Sequence, residues 1–158
     1  DLTGADGRLE DCVGAVLRGE ADNDPFNRLV LLAGLDWREA AMLRAYAAYL
    51  RQLGAPFGPR YVAETLARHA AVATDLALLF KAGHAPEPVL AAADREARQG
   101  EIKARIEATL AKVASADEDR ILRLVLELIE GTTRTNYFQP GPDGKDMLFM
   151  EVSYKKRR

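Results

Sequence analysis

Two stretches of this sequence set a polar cap and a glutamate three residues apart, directly ahead of apolar residues at helical spacing. Asp36-Trp37-Arg38-Glu39 and Ser115-Ala116-Asp117-Glu118 both fit the capping box, in which the first side chain accepts from the third helical N–H and the glutamate reaches back to the cap. Behind the first, Met42, Ala45, Tyr46, Tyr49, Leu50 and Leu53 share one face over Ala40 to Leu53, and Gly54 suits a left-handed closing position. Behind the second, Ile121, Leu122, Leu124, Val125, Leu128 and Ile129 make the most apolar helical face of the chain. Such faces have to be buried, so the chain is committed to packed helices.

The remaining helices come from the same periodicity. Leu9, Cys12, Val13, Val16 and Leu17 form one stripe over Arg8 to Arg18. Asp24-Pro25 reads as an N-cap followed by proline at the first helical position, with the helix running through Phe26, Leu29, Val30 and Leu32 to Gly34. Gly58-Pro59 opens a short helix through Tyr61, Val62, Thr65 and Leu66, and Val72 to Phe80 makes another ahead of a loop, Gly83-His84-Ala85-Pro86. A long polar helix is expected from Pro88 to Val113, with a narrow apolar seam of Val89, Leu90, Ile102, Ile106, Leu110 and Val113 and a weakening Gly100 at its middle. The short connection to Ser115 predicts that the next helix folds back antiparallel, an αα-hairpin.

Beyond that hairpin the period changes to an extended one. Thr135-Asn136-Tyr137-Phe138-Gln139 and Met147-Leu148-Phe149-Met150-Glu151-Val152 read as strands, with Pro140-Gly141-Pro142-Asp143-Gly144 as the turn between them. A lone hairpin is marginal in water and calls for a sheet to join. The expected fold class is therefore mainly α: a multi-helix domain over 1–134 with an αα-hairpin, then a β-hairpin or strand and tail over 135–158 that would join a following domain.

Composition narrows the function classes. With 48% apolar and 29% charged residues the chain reads as globular, and no apolar run is long enough to span a bilayer. The opening Asp1-Leu2-Thr3-Gly4-Ala5-Asp6 lacks the features of a signal peptide and a single cysteine makes no internal disulfide, which together favour the cytoplasm. A net charge of −2 argues against nucleic-acid binding by the chain as a whole. The basic Lys155-Lys156-Arg157-Arg158 ending is read as a solvated end, with phosphate contact as the alternative.

Residues that carry chemistry elsewhere have plainer explanations here. His69 and His84 lack the partners of a metal site: His69 is expected near a helix end and His84 in a loop. Cys12 falls in an apolar stripe with no cation close in sequence, which reads as core. The carboxylates Asp117, Glu118 and Asp119 complement a helix N-terminus. Trp37, Tyr46, Tyr49 and Phe57 read as packing, with a ligand cleft as the alternative. No phosphate-cradling loop and no nucleophile elbow is present, so no catalytic, cofactor-binding or metal-binding residue is assigned.

The run Asp24-Pro25-Phe26-Asn27-Arg28-Leu29-Val30-Leu31-Leu32-Ala33-Gly34-Leu35-Asp36-Trp37-Arg38-Glu39-Ala40 closely resembles a segment of the large bacterial NAD-specific glutamate dehydrogenases. Leu43-Arg44-Ala45-Tyr46, Tyr49-Leu50-Arg51-Gln52, Asp117-Glu118-Asp119-Arg120-Ile121-Leu122-Arg123 and Arg134-Thr135-Asn136-Tyr137-Phe138-Gln139 continue the resemblance in order. Lys81-Ala82-Gly83-His84-Ala85 and the basic ending depart from it. The resemblance implies a very long, oligomeric polypeptide in which these helices follow regulatory ACT-like modules and immediately precede the dehydrogenase core. It implies oxidation of L-glutamate to 2-oxoglutarate and ammonium with NAD, by machinery downstream of Val152; no catalytic or NAD-binding residue is carried over to this chain. The expected role is a helical inter-domain segment, with an allosteric amino-acid or nucleotide sensing module as the alternative. For the latter, Arg28, Arg38, Arg44 and Arg51 are the carboxylate-binding candidates.

Overall fold

A computed structural model describes residues 2–86, 92–139 and 148–153. Seven helices and two strands are described: α1 Leu2–Leu17, α2 Arg28–Leu32, α3 Trp37–Gln52, α4 Pro59–Arg68, α5 Ala70–His84, α6 Ala92–Leu110, α7 Ala116–Glu130, β1 Thr132–Thr135 and β2 Met150–Val152. The chain divides into two compact units, Asp1–Thr74 and Asp75–Arg158, the division falling inside α5.

In the first unit the expected capping box forms in full. Asp36 Oδ1 accepts from Glu39 N at 2.7 Å and Glu39 Oε2 accepts from Asp36 N at 2.8 Å, which fixes the start of α3. Met42, Leu43, Tyr46 and Leu50 of α3 are fully buried. The helix closes as read: Gly54 takes φ +78°, and Ala55 N reaches back to Leu50 O at 3.0 Å. Asp24 also caps, but the residues after it do not form one continuous helix. Pro25–Asn27 forms a 3₁₀ turn, Asp24 Oδ1 accepting from Phe26 N at 2.9 Å, and α2 begins only at Arg28.

Further readings are corrected in α1 and α5. α1 starts at Leu2 rather than near Arg8, and only part of its stripe is covered. Cys12 and Ala15 are buried, whereas Leu9, Val13 and Leu17 are 39%, 50% and 82% exposed. The buried face of α1 thus runs through the small side chains, which let it approach α2 and α3. α4 ends at Arg68 and His69 forms the joint: its N–H donates to Thr65 O and its carbonyl accepts from Ala73 N. α5 therefore begins at Ala70 and continues to His84, past the Val72 to Phe80 span expected for it. Gly83 and His84 are helical, in place of the expected loop.

The second unit contains the αα-hairpin. Lys103 pairs with Glu130, and Glu107 pairs with Arg123 at 2.8 Å, so the residue numbers rise on α6 as they fall on α7. The helices are therefore antiparallel. Ile102, Ile106 and Leu110 of the narrow seam are buried, as are Ile121, Leu122, Val125, Leu128 and Ile129 of the apolar face of α7. α6 stops at Leu110, short of Val113, and Pro88, Val89 and Leu90 of the expected helix lie outside the described residues. Ser115 caps α7 by accepting from Glu118 N.

The two strands pair antiparallel, Thr132 with Val152 and Thr135 with Met150, with a one-residue slip between Thr132 and Arg134. The first strand is Thr132–Thr135, not the expected 135–139; residues 137–139 turn instead. The reason is local: Thr135 Oγ1 accepts from Tyr137 N at 3.0 Å, and Asn136 Oδ1 accepts from Phe149 N at 2.6 Å, taking the amides that a longer ladder would use. The turn expected at Pro140–Gly144 and the Lys155–Arg158 ending lie outside the described residues.

Candidate functional site

The strongest polar constellation of the first unit is built on Asp24. Besides capping the 3₁₀ turn, its carboxylate takes two N–H groups of Arg44 from α3, Nε at 2.5 Å and Nη2 at 2.9 Å. Arg44 Nη2 also donates to Asn27 Oδ1 at 3.1 Å, and its guanidinium stands 5.7 Å from the centre of the Phe26 ring. One arginine thus ties α3 to the turn that precedes α2. This is a structural clasp, with the ionic groups already satisfied, rather than a place where a ligand would find an unpaired charge.

The four arginines considered as carboxylate binders are not gathered into a site. Arg44 is committed to the clasp, Arg28 and Arg51 are exposed, and Arg38 is half-buried at the start of α3. Three of the aromatic candidates are packing residues: Tyr46 and Phe57 are buried, and Trp37 packs against Cys12, Val30 and Ala40; Tyr49 is half-buried on α3. Cys12 is buried as read. Burial pushes its thiol above the ordinary value, and Arg44, distant in sequence but near in space, offsets part of that. Among the described residues no group of three His, Cys, Asp or Glu side chains is placed to hold a metal ion.

In the second unit a ring cluster holds the segment after β1. Tyr137 meets Phe80 edge-on at 5.2 Å and Phe138 lies stacked 6.3 Å from the same ring, while the His84 imidazole stands 5.1 Å from it, one helical turn along α5. His84 is half-buried, and burial first and the Arg95 charge second push its imidazole below the usual histidine range. Gly131 makes the corner between α7 and β1. Its carbonyl accepts from Ser153 N at 2.8 Å, and a Cβ there would stand 2.9 Å from Ser153 O, so only glycine lets the two backbones approach this closely. Beside this corner a cleft of about 420 Å³ opens between α5, α6 and the end of α7. One weak signal in the sequence bears on it, the unexplained Gly100 in a polar helix.

Comparison with known families supplies the context. Residues 21–86 match the family described as "Glutamate dehydrogenase, helical motif 3", and residues 105–158 match "Bacterial NAD-glutamate dehydrogenase, catalytic domain". The chain is 40% identical over 149 residues, 94% of its length, to the NAD-specific glutamate dehydrogenase of Pseudomonas aeruginosa. This chain belongs to the NAD-specific glutamate dehydrogenase family. The Halomonas elongata enzyme of that name is 44% identical over 85% of the chain, and the Mycobacterium tuberculosis enzyme 40% over 92%. The chain spans about 9% of the length of the Pseudomonas and Mycobacterium glutamate dehydrogenases and 8% of the Halomonas one. The Asp24–Arg44 clasp falls inside the first matched span, and Tyr137 and Phe138 of the ring cluster inside the second.

Proposed function

We propose that this chain is a non-catalytic inter-domain segment of an NAD-dependent glutamate dehydrogenase, docking the regulatory part of the polypeptide against its catalytic part. The carrying observation is that one short chain matches a helical motif over 21–86 and a catalytic domain over 105–158. The full-length enzyme would convert L-glutamate, NAD and water into 2-oxoglutarate, ammonium and NADH, act in the cytoplasm and assemble as a homo-oligomer. Its partners for this segment are the ACT-like regulatory and catalytic regions of the same polypeptide. The described strands are short and antiparallel, and no step of hydride transfer is assigned to the described residues. Among the described residues no helix is long and apolar enough to cross a membrane.

Docking needs surface, and the exposed Leu9, Val13 and Leu17 stripe of α1 and Phe149 beside β2 provide it. With relatives about ten times longer than this chain, the occupant is the remaining polypeptide. In the full-length enzyme, Val13→Asp with Leu17→Asp should reduce activity and assembly together, while the same changes leave the thermal unfolding of the chain alone within a few degrees. Full-length enzyme that assembles and turns over normally with both aspartates would overturn the docking role. The sensing alternative finds no support in the four dispersed arginines; the cleft beside Gly131 is the observation that favours it.

A further inference from the structure

The cleft of the second unit has a built, two-sided chemistry. One wall is a single face of α6, where Glu96, Gln99, Gly100 and Lys103 recur at helical spacing. The other is the last two turns of α5 with Leu79, Gly83 and His84, and Ile129, Glu130 and Thr132 close the end at the corner between α7 and β1. Two glycines make the space. A Cβ on Gly83 would meet only the Gln99 amide, at 3.6 Å, and a Cβ on Gly100 would meet nothing within 4 Å. Gly100 is thus not demanded by a close approach or by a positive φ, although glycine in a helix interior costs roughly 1 kcal/mol relative to alanine. Its consequence is the open volume.

The charges are mixed and lie at the rim. Lys103 and Glu130 pair across the cleft with both side chains part exposed, 47% and 36%, so their bond is weak enough to exchange for a ligand. Glu96 adds a second carboxylate two helical turns from Lys103. His84 lines the inner wall, and its imidazole is turned toward the neutral form by burial, so the cleft carries one cation against two anions. Gln99 is held by the bond from its amide nitrogen to Ala82 O at 3.5 Å, and the apolar surface between the charges comes from Leu79 and Ile129.

We infer that this cleft binds a small zwitterion, with its carboxylate on Lys103, its ammonium between Glu96 and Glu130, and its apolar body on Leu79 and Ile129: the chemistry of a free apolar amino acid. A simple anion would face two carboxylates, and a simple cation would leave Lys103 competing for Glu130. The volume of about 420 Å³ is in the range of small-molecule sites. Binding here stands apart from the docking role, and it would hold whether or not the bound molecule regulates the enzyme.

The test titrates the isotope-labelled chain with L-norleucine, and in parallel with pentylamine and hexanoate, which keep the apolar body and one charge each. The expected result is saturable shifting of the Gly83 and Gly100 amide signals by norleucine, with both one-charge analogues at least about tenfold weaker. Glu96→Gln and Lys103→Gln should each weaken norleucine about tenfold without altering the fold. Gly100→Leu should abolish binding while raising helix propensity, because a Cβ here meets nothing within 4 Å and the longer side chain extends into the open volume. Absence of saturable shifts, equal binding of the analogues, or binding that survives Gly100→Leu would each overturn the proposal.

Discussion

Removing the Asp24 carboxylate separates its two roles and gives them magnitudes. In Asp24→Asn the side chain still accepts from Phe26 N, because asparagine caps as well as aspartate, but the bidentate partner of Arg44 becomes neutral. Arg44 is 15% and Asp24 29% exposed, so the pair is partly screened and its loss should cost about 1 kcal/mol rather than the roughly 3–5 kcal/mol of a fully buried pair. Asp24→Ala loses the cap as well, a further 1 kcal/mol or so, for a total of about 2 kcal/mol. Trp37 is the sole tryptophan and packs in the first unit against Cys12, Val30 and Ala40, so urea unfolding followed by its fluorescence reports on the affected unit. In Arg44→Ala the Asp24→Asn cost should fall to near zero, since the partner is already gone. An Asp24→Ala chain within about 0.5 kcal/mol of the parent, or an Asn cost unchanged by Arg44→Ala, would refute the clasp.

Single positions carry further predictions. Ile106 is fully buried on the α6 seam, so Ile106→Ala should cost about 2–5 kcal/mol. Lys103→Ala, which breaks a half-exposed pair, should cost under about 1 kcal/mol, amide exchange of α6 and α7 measuring both. Thr65 is fully buried and its hydroxyl meets no hydrogen-bond partner among the described residues, so Thr65→Val should be neutral or stabilising in thermal unfolding. Gly131→Ala places a methyl 2.9 Å from Ser153 O and should detach β2, seen as lost protection of the Ser153 amide; unchanged protection would show that the corner relaxes. His84 has a lowered imidazole pKa, so the unfolded chain takes up its proton first as pH falls below about 6.5. The stability it contributes is complete above that pH and declines as the pH drops toward the folded value, and His84→Gln should remove this part of the pH dependence of unfolding.

Sequence alone reveals what local chemistry decides. Asp36 and Glu39 specify their own bonds within four residues, and the Ile102–Ile106–Leu110 seam needs only the helical repeat, so both are legible. α1 shows where such reading stops. Its stripe of Leu9, Val13 and Leu17 has the right period, but which face is covered depends on α2 and α3, and close approach there selects Cys12 and Ala15. The first strand lies earlier than its composition suggests, because the aromatic run at 137–138 packs its rings on Phe80 while Thr135 and Asn136 take the neighbouring amides. Gly83 suggests a break before His84, yet the helix continues and the imidazole packs on Phe80. Of the cleft only Gly100 shows in the sequence, because its walls are brought together from α5, α6 and α7 and no spacing within one element encodes it.

We place the chemistry elsewhere in the polypeptide and give this chain the role of joining its parts. The most direct measurement incubates the purified chain with L-glutamate and NAD and follows NADH absorbance, beside a full-length relative such as the Pseudomonas aeruginosa enzyme. The relative should produce NADH steadily, and the chain none above the protein-free rate. Glutamate-dependent NADH formation by the chain alone, proportional to its concentration, would contradict a non-catalytic role.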